Sequence, residues 1–362
     1  MTAPPPRAID GELLPLTAIR GLAAWWVVLF HLRFLLAPWL PDRAMAVLAN
    51  GNLAVDLFFV LSGFVMYLNY GERVVLSRVS IGEFLFRRFA RVYPLHLLIL
   101  SGFLAYAAAA AAFGRSAIPD PGYFIASLFL VQNWGFHETL AWNVPAWSIS
   151  TEFFAYLAFP ALLAILAPSR RPAWLLVALI AALSVSVQLY FDAFGYPFPN
   201  AVPQTGLFRC VVQFAAGMLL CELYRRCAGK HRLARPLFAL AFASWGAFGL
   251  FEAPVVPLGW AALVLALALK RGGGPLSSAP LVWLGRVSYA TYLSHYLLLI
   301  LFKYLFVTEG AAVSPLWLAS YLAAVLAASA ILYHGLEVPA QRGLLRLWKR
   351  RRPPAAALAP AE

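Results

Sequence analysis

The stretch LPLTAIRGLAAWWVVLFHL, residues 14–32, is apolar over nearly the length a helix needs to cross a bilayer, yet it carries Arg20 and His31. A helix rises 1.5 Å per residue, so about 20 residues cover the roughly 30 Å hydrocarbon core. A central arginine costs such a helix roughly 2.5–3.5 kcal/mol on insertion scales. A simple anchor has no use for either side chain; a site inside the membrane does.

Similar apolar runs recur from one end of the chain to the other. Of its 362 residues, 62% are hydrophobic and only 12% charged, with a mean hydropathy of +0.76. A soluble protein carries about twice that charged share. The pattern is that of an all-α polytopic membrane protein, since the short alternating segments of an outer-membrane barrel do not occur. We place ten spans near 14–36, 51–70, 94–113, 145–166, 173–191, 205–224, 236–252, 254–270, 285–307 and 314–336. The seventh and eighth are separated only by FEAPVVP.

The formal net charge of +13 is explained by where the basic residues fall. One set of connections holds Arg73, Arg78, Arg87, Arg88 and Arg91, then Arg170 and Arg171, then Arg225, Arg226, Lys230, Arg232 and Arg235. Lys270, Arg271 and Arg286 follow, and the tail adds Arg342, Arg346 and the run 349–352. The opposite loops hold little beyond Arg43 and Arg115. The positive-inside rule then puts both termini in the cytoplasm, which an even number of spans requires. The charge surplus is topological, so nucleic acid is not an expected partner; the lipid bilayer is. The organisation expected is a cytoplasmic leader 1–12, a membrane domain 13–342 and a basic, then Pro/Ala-rich, tail 343–362. The first apolar run is too long for a cleavable signal and is followed by no small-residue cleavage site. The protein is therefore expected in the cytoplasmic (inner) membrane. Cys210, Cys221 and Cys227 lack metal or redox spacing, and no histidine cluster or phosphate-binding glycine loop is present.

Depth along the spans groups the polar residues. Entering from the cytoplasm, Arg20 lies about 9 Å in and His31 about 16 Å further. Asp56, on a descending span, lies about 8 Å below the outer surface, and Glu152, on another, about 10 Å below it. His31, Asp56 and Glu152 thus share a stratum. A neutral imidazole with two acids at its level suits a general base held by a carboxylate. A polar cluster that only pins helices together fits the same placement. On the other side, FLFRRFARVYPLHLL, 84–98, reads as an interfacial helix ending at Pro94, where a span begins. Its Arg88 and Arg91 share one face. Paired guanidinium groups at that boundary suit phosphates, of lipid headgroups or of a nucleotide-like cofactor.

Taken in order, these segments resemble acyltransferase family 3. The first-span signature is Arg20, ten residues, then His31. NLAVDLFFVLSGFVM, 52–66, is similar to the family's F-F-x-x-S-G-F/Y segment, RFAR at 88–91 to its R-x-x-R, and VPAWSISTEFFAY, 144–156, to its W-S-[IL]-S-x-E. LGRVSYATYLSH, with His295, and YHGLEVPAQR, with Glu337 and Pro339, complete the series. The resemblance covers about residues 12–342.

It implies O-acylation of an extracytoplasmic or lipid-linked carbohydrate, or a similar hydroxyl compound, from cytoplasmic acyl-CoA, most often acetyl-CoA. Some members carry a fused esterase-like domain; none is read here. The expected catalytic residues are His31 as base, with Asp56 and Glu152 orienting it or the acceptor. Arg20, Arg88 and Arg91 are expected to bind CoA. Ser62, Ser148 and Ser150 are candidate substrate contacts, although hydroxyls that pack helices have the same pattern. Arg209 either meets an acidic acceptor or pairs with one of the acids. His295 either makes buried hydrogen bonds or lines an acyl tunnel. That tunnel is expected to run from Arg88 along the Arg20–His31 face to an outer opening. No metal is expected. A transporter or flippase is the alternative, because buried Asp, Glu, His and Arg serve transport as well.

Overall fold

A computed structural model describes residues 12–115, 117–166, 171–196, 198–247, 252–270, 274–307 and 312–351. Arg170, Arg271, Arg352, most of the leader and the Pro/Ala tail lie outside the described residues. The described chain is helical throughout, with no strand among the described residues. Its helices are α1 (Leu14–Leu36), α2 (Asp42–Ala49), α3 (Ala54–Met66), α4 (Glu72–Val75), α5 (Ile81–Ala112), α6 (Pro121–Leu128) and α7 (Trp147–Leu166), followed by α8 (Ala173–Phe194), α9 (Val202–Cys227), α10 (Ala234–Gly246), α11 (Glu252–Lys270), α12 (Ala279–Phe306), α13 (Pro315–Leu332) and α14 (Val338–Arg351).

Among the described residues, seven helical stretches are long and apolar enough to cross a membrane: Leu14–Trp39, Asp42–Val75, Ile81–Ala112, Val144–Leu166, Ala173–Phe194, Val202–Cys227 and Pro315–Arg350. The protein is therefore a multi-pass helical membrane protein. The remaining expected spans coincide with α10, α11 and α12, of which Val255–Lys270 is apolar but short.

Local sequence sets the helix ends. Ser80 caps α5 by accepting from the Glu83 backbone N–H at 3.2 Å, the Ser-x-x-Glu arrangement of a capping box. Asp120 accepts from the Gly122 N–H at 2.8 Å, ahead of Pro121 at the first position of α6. Helix α8 stops where Gly195 turns left-handed at φ 68°. The expected break at Pro94 does not occur. Pro94 lies inside α5, which continues as one helix of 32 residues, about 48 Å long. The RFAR segment is thus the first part of a transmembrane helix and not a separate interfacial one. The basic segment 343–351 likewise completes α14. Trp348 packs this helix back onto α5, its ring stacked on that of Phe86 at 4.2 Å between centroids.

Two parallel helix pairs form the frame of the bundle. Where α1 meets α12, a Cβ on Gly21 would stand 2.7 Å from the Gly285 nitrogen, and one on Gly285 would overlap the Thr17 carbonyl. Where α3 meets α9, a Cβ on Gly63 would overlap the Phe214 carbonyl and one on Gly217 the Val60 carbonyl. Small residues let backbones approach this closely, and that is how helices associate in lipid. Gly21, Gly63 and Gly285 stand inside the quoted motifs, so part of each motif is packing. In both pairs the contacts advance along the two chains together, the sense the expected span order requires.

Candidate active site

A cavity of about 170 Å³ opens between α1, α3, α5, α7 and α12. Its polar lining comprises Arg20, Ser62, Arg88, Arg91, Ser148, Glu152, Tyr156, Ser288, Tyr289 and Tyr292. Each has a definite origin. Arg20 comes from the first turns of α1, and Arg88 and Arg91 come from one face of α5. Glu152 and Tyr156 are four residues apart on α7 and so lie one above the other.

The three guanidinium groups are held differently. Arg88 donates to the Tyr70 hydroxyl at 3.0 Å. Arg91 donates to Glu337, whose side chain is fully buried. Arg20 makes no hydrogen bond to any described residue. Both partners sit on short π-helical segments, Tyr67–Gly71 and Tyr333–Glu337, irregularities that often accompany functional sites. Opposite the arginines, Tyr156 donates to Glu152 at 2.5 Å and Ser62 donates to Tyr156 at 3.4 Å. At the far end the Tyr292 hydroxyl lies 2.7 Å from Ser148 Oγ and 3.0 Å from the Pro145 carbonyl. Phe58 meets the Tyr292 ring edge-on at 5.8 Å.

The structure divides the residues expected to share a stratum. Glu152 belongs to the arginine cavity and makes no hydrogen bond or ion pair with His31. The loop before α7 explains its depth. Gln132, Asn133 and Asn143 are buried, so this loop packs into the bundle instead of running over its end. Counting residues from the expected end of the span therefore placed Glu152 too high. Asp56 is committed elsewhere as well. Its carboxylate is fully buried and accepts from Arg209 Nε at 2.6 Å, from Arg209 Nη2 and from Gln213 Nε2. With three donors on one carboxylate, Asp56 ties α3 to α9 and does not orient His31. Arg209 thus takes the pairing alternative, and its remaining Nη1 donates to the Pro199 carbonyl at 3.3 Å.

Ser150 is also structural, donating to the Leu130 carbonyl at 2.8 Å and accepting from the Asn133 N–H, whereas Ser62 and Ser148 line the cavity. The neighbour of His31 is His295, with His31 Nδ1 and His295 Nε2 3.2 Å apart. His31 is not part of the cavity lining, so this cavity does not extend as the expected continuous tunnel to His31; Tyr292, Ser148 and Phe58 line it. Sequence reasoning missed Tyr70 and Tyr156 as side chains that organise the site, and it named Glu337 in the YHGLEVPAQR motif without giving it a role. The four-residue spacing of Glu152 and Tyr156 was the available signal for Tyr156.

A multi-pass helical bundle that holds a cation-lined cavity against buried acids is a membrane protein built around an internal site. The chain belongs to acyltransferase family 3: the family model, described as an acyltransferase domain, matches residues 15–334. It is an acyltransferase. It is similar to "Acyltransferase MdmB" of Streptomyces mycarofaciens, 29% identical over 99% of this chain and 97% of that protein. It also resembles "Exopolysaccharide production protein ExoZ" of Rhizobium meliloti, 26% identical over 68% of this chain and 75% of that protein. A shorter match, 43% identical over 25% of this chain and 44% of the relative, is to "Protein 2 in picA locus" of Rhizobium radiobacter. No solved structure matches the chain significantly.

Proposed function

We propose that this protein transfers an acyl group, acetyl in the first instance, from cytoplasmic acyl-CoA to a hydroxyl of an extracytoplasmic or lipid-linked carbohydrate. The observation that carries this reading is the arginine cavity, in which Arg20, without a hydrogen-bond partner among the described residues, stands beside Arg88 and Arg91. Arg20, Arg88 and Arg91 hold the anionic groups of the donor, whose charged head cannot enter hydrocarbon cheaply. The pantetheine arm and thioester extend past Glu152 and Tyr156 toward Tyr292. Movement of the Tyr292 side chain opens the wall to His31, about 16 Å along α1 from Arg20.

There His31 takes the proton of the acceptor hydroxyl as its oxygen attacks the thioester carbonyl. The C–S bond then breaks, and the thiolate leaves with that proton as free CoA thiol. The carbohydrate acceptor draws support from the relative named for exopolysaccharide production; the family favours this enzyme over a transporter. In this reading the chain has ten spans with both termini in the cytoplasm of an inner membrane, and the donor enters at the arginine end.

The test is transfer from radiolabelled acetyl-CoA by the purified protein, with total envelope glycan and glycolipid from the producing cell as acceptor. Release of free CoA that depends on this acceptor, with label appearing in the glycan or lipid fraction, is the expected result. Acetyl-CoA left intact while the acceptor crosses vesicle membranes would instead make the protein a transporter.

A further inference from the structure

Two imidazoles face one another inside the bundle, and the atoms around them leave only one arrangement of protons. His295 is fully buried. Its Nδ1 faces two backbone carbonyls, that of Tyr292 at 2.7 Å and that of Thr291 at 3.2 Å. Carbonyl oxygens only accept, so Nδ1 of His295 carries its proton and Nε2 presents a lone pair. That lone pair points at His31 Nδ1, 3.2 Å away. His31 Nδ1 also faces the Val27 carbonyl at 3.0 Å. With an acceptor on each side, His31 Nδ1 must be the protonated nitrogen. Its Nε2 is left unprotonated and has no hydrogen-bond partner among the described residues. The reverse assignment would set lone pair against lone pair at three of these four contacts.

From this geometry we infer that His295 is the positioning residue of the acyl transfer, holding His31 in the tautomer whose Nε2 is the base. The inference rests on the assignment of His31 as base in the function proposed above. It gives His295 the place that a carboxylate holds in a catalytic triad, where the third member fixes the tautomer and orientation of the base. Both acids that could have done so are engaged, Asp56 with Arg209 and Glu152 with Tyr156. A neutral acceptor also suits the setting, because it adds no ion to the membrane interior before the proton moves. As His31 Nε2 takes the hydroxyl proton, its Nδ1–H stays shared between the Val27 carbonyl and His295 Nε2, and His295 neither gains nor loses a proton. The position of His295 is itself fixed by Tyr321, whose hydroxyl donates to the His295 carbonyl at 3.0 Å.

The experiment uses the full chain in lipid nanodiscs, labelled with ¹⁵N-histidine, with the His31 resonances identified by their loss in His31→Gln. In the wild type, His31 should show a protonated Nδ1 and an unprotonated Nε2. In His295→Leu the Val27 carbonyl remains as an acceptor at Nδ1, so the proton should redistribute in part toward Nε2. With the hydrogen bond to the imidazolium also lost, kcat for label transfer from acetyl-CoA should fall about 10–100-fold at unchanged KM for acetyl-CoA. His295→Gln, whose amide oxygen reaches the Nε2 position, should retain the Nδ1 tautomer and recover most of the rate. A His31 whose Nδ1 stays as fully protonated in His295→Leu as in the wild type, or a His295→Leu enzyme with wild-type kcat, overturns the inference. Loss of activity in Leu and Gln variants alike, with the tautomer unchanged in both, overturns it too and leaves His295 a packing residue. Activity surviving in His31→Gln would instead remove the base on which the inference rests, so the two failures are distinguishable.

Discussion

Replacing Arg209 with leucine should be among the most damaging single changes in the bundle, for a reason unrelated to catalysis. Arg209 supplies two of the three donors to Asp56, and both side chains are almost wholly buried. Its loss strands a carboxylate inside the membrane domain with only Gln213 beside it. Breaking a buried ion pair by removing one partner costs about 3–5 kcal/mol, whereas replacing both partners with apolar residues is often neutral or stabilising. We therefore expect Arg209→Leu and Asp56→Leu each to lose about 3–5 kcal/mol. The double variant should lose much less than the sum and keep acyl transfer, because His31 is untouched. Denaturant unfolding in mixed micelles, followed by tryptophan fluorescence, measures the first quantity, and acetyl transfer measures the second. If the single variants unfold like wild type but are inactive, and the double variant is inactive too, Asp56 takes part in the chemistry and its assignment as a tie between α3 and α9 is wrong.

Other outcomes follow from the same contacts. His31→Ala should lower kcat by about 10²–10⁴-fold, the usual contribution of a general base, while calorimetry shows acetyl-CoA still bound. Arg20→Ala should weaken acetyl-CoA binding by about 10–100-fold, since a charge-assisted hydrogen bond is worth about 1.5–3 kcal/mol; Arg20→Lys should recover part of this, and unchanged affinity would remove Arg20 from the donor site. Gly63→Ala sets a Cβ onto the fixed Phe214 carbonyl, so its cost should reach or exceed the upper end of the roughly 1–3 kcal/mol typical of overpacking, read as a lower midpoint in the same unfolding assay. Burial raises the Glu12 pKa, but hydrogen bonds from Arg286 and Thr17 outweigh this and hold it below its ordinary value of 4.5. The stability this contributes should be complete above about pH 4.5, vanish as pH falls through the lowered value, and be absent at all pH in Glu12→Gln.

Much of the architecture was legible because lipid permits so few backbones. Apolar runs had to be helices, and seven helical stretches among the described residues are long and apolar enough to span. The motifs also gathered correctly in part: Arg20, Arg88, Arg91, Ser62, Ser148 and Glu152 line one cavity. Depth was less legible. It was counted from assumed span ends, and the loop before α7 packs into the bundle, with Glu152 in the cavity of the arginines. Partnership was the least legible, because level and charge say which residues are near one another but not which atoms meet. Asp56 and Arg209 are 153 residues apart in sequence, and Arg91 and Glu337 are 246 apart. No local pattern announces either pair. The two histidines, 264 apart, were both visible as costly residues on apolar helices, yet only their ring orientations make them a unit.

The arrangement of the cavity's charges bears on which ligand it takes. Arg88 and Arg91 are three residues apart on α5, so left to themselves they would repel across one helix face. Each is instead steadied from a different π-helical segment, Arg88 by the neutral Tyr70 hydroxyl and Arg91 by the buried Glu337 carboxylate. Among the described residues, Glu152 is the carboxylate that lines the cavity itself, and its acceptor capacity is partly used by Tyr156. Three guanidinium groups therefore face two carboxylates, a surplus of one positive charge, and Arg20, with the charge of Glu152 nearby, has no described residue hydrogen-bonded to it. A neutral ligand would leave that guanidinium without a hydrogen-bonded counter-charge in an apolar setting, which is costly. An anionic one completes the site. Because the fixed pair on α5 supplies a rigid platform and Arg20 an unengaged fork, the site is best suited to an extended ligand whose charge is concentrated at one end. The acyl-CoA proposed above, with its phosphate-bearing head at the arginines and its slender neutral arm toward Tyr292, is a ligand of that kind.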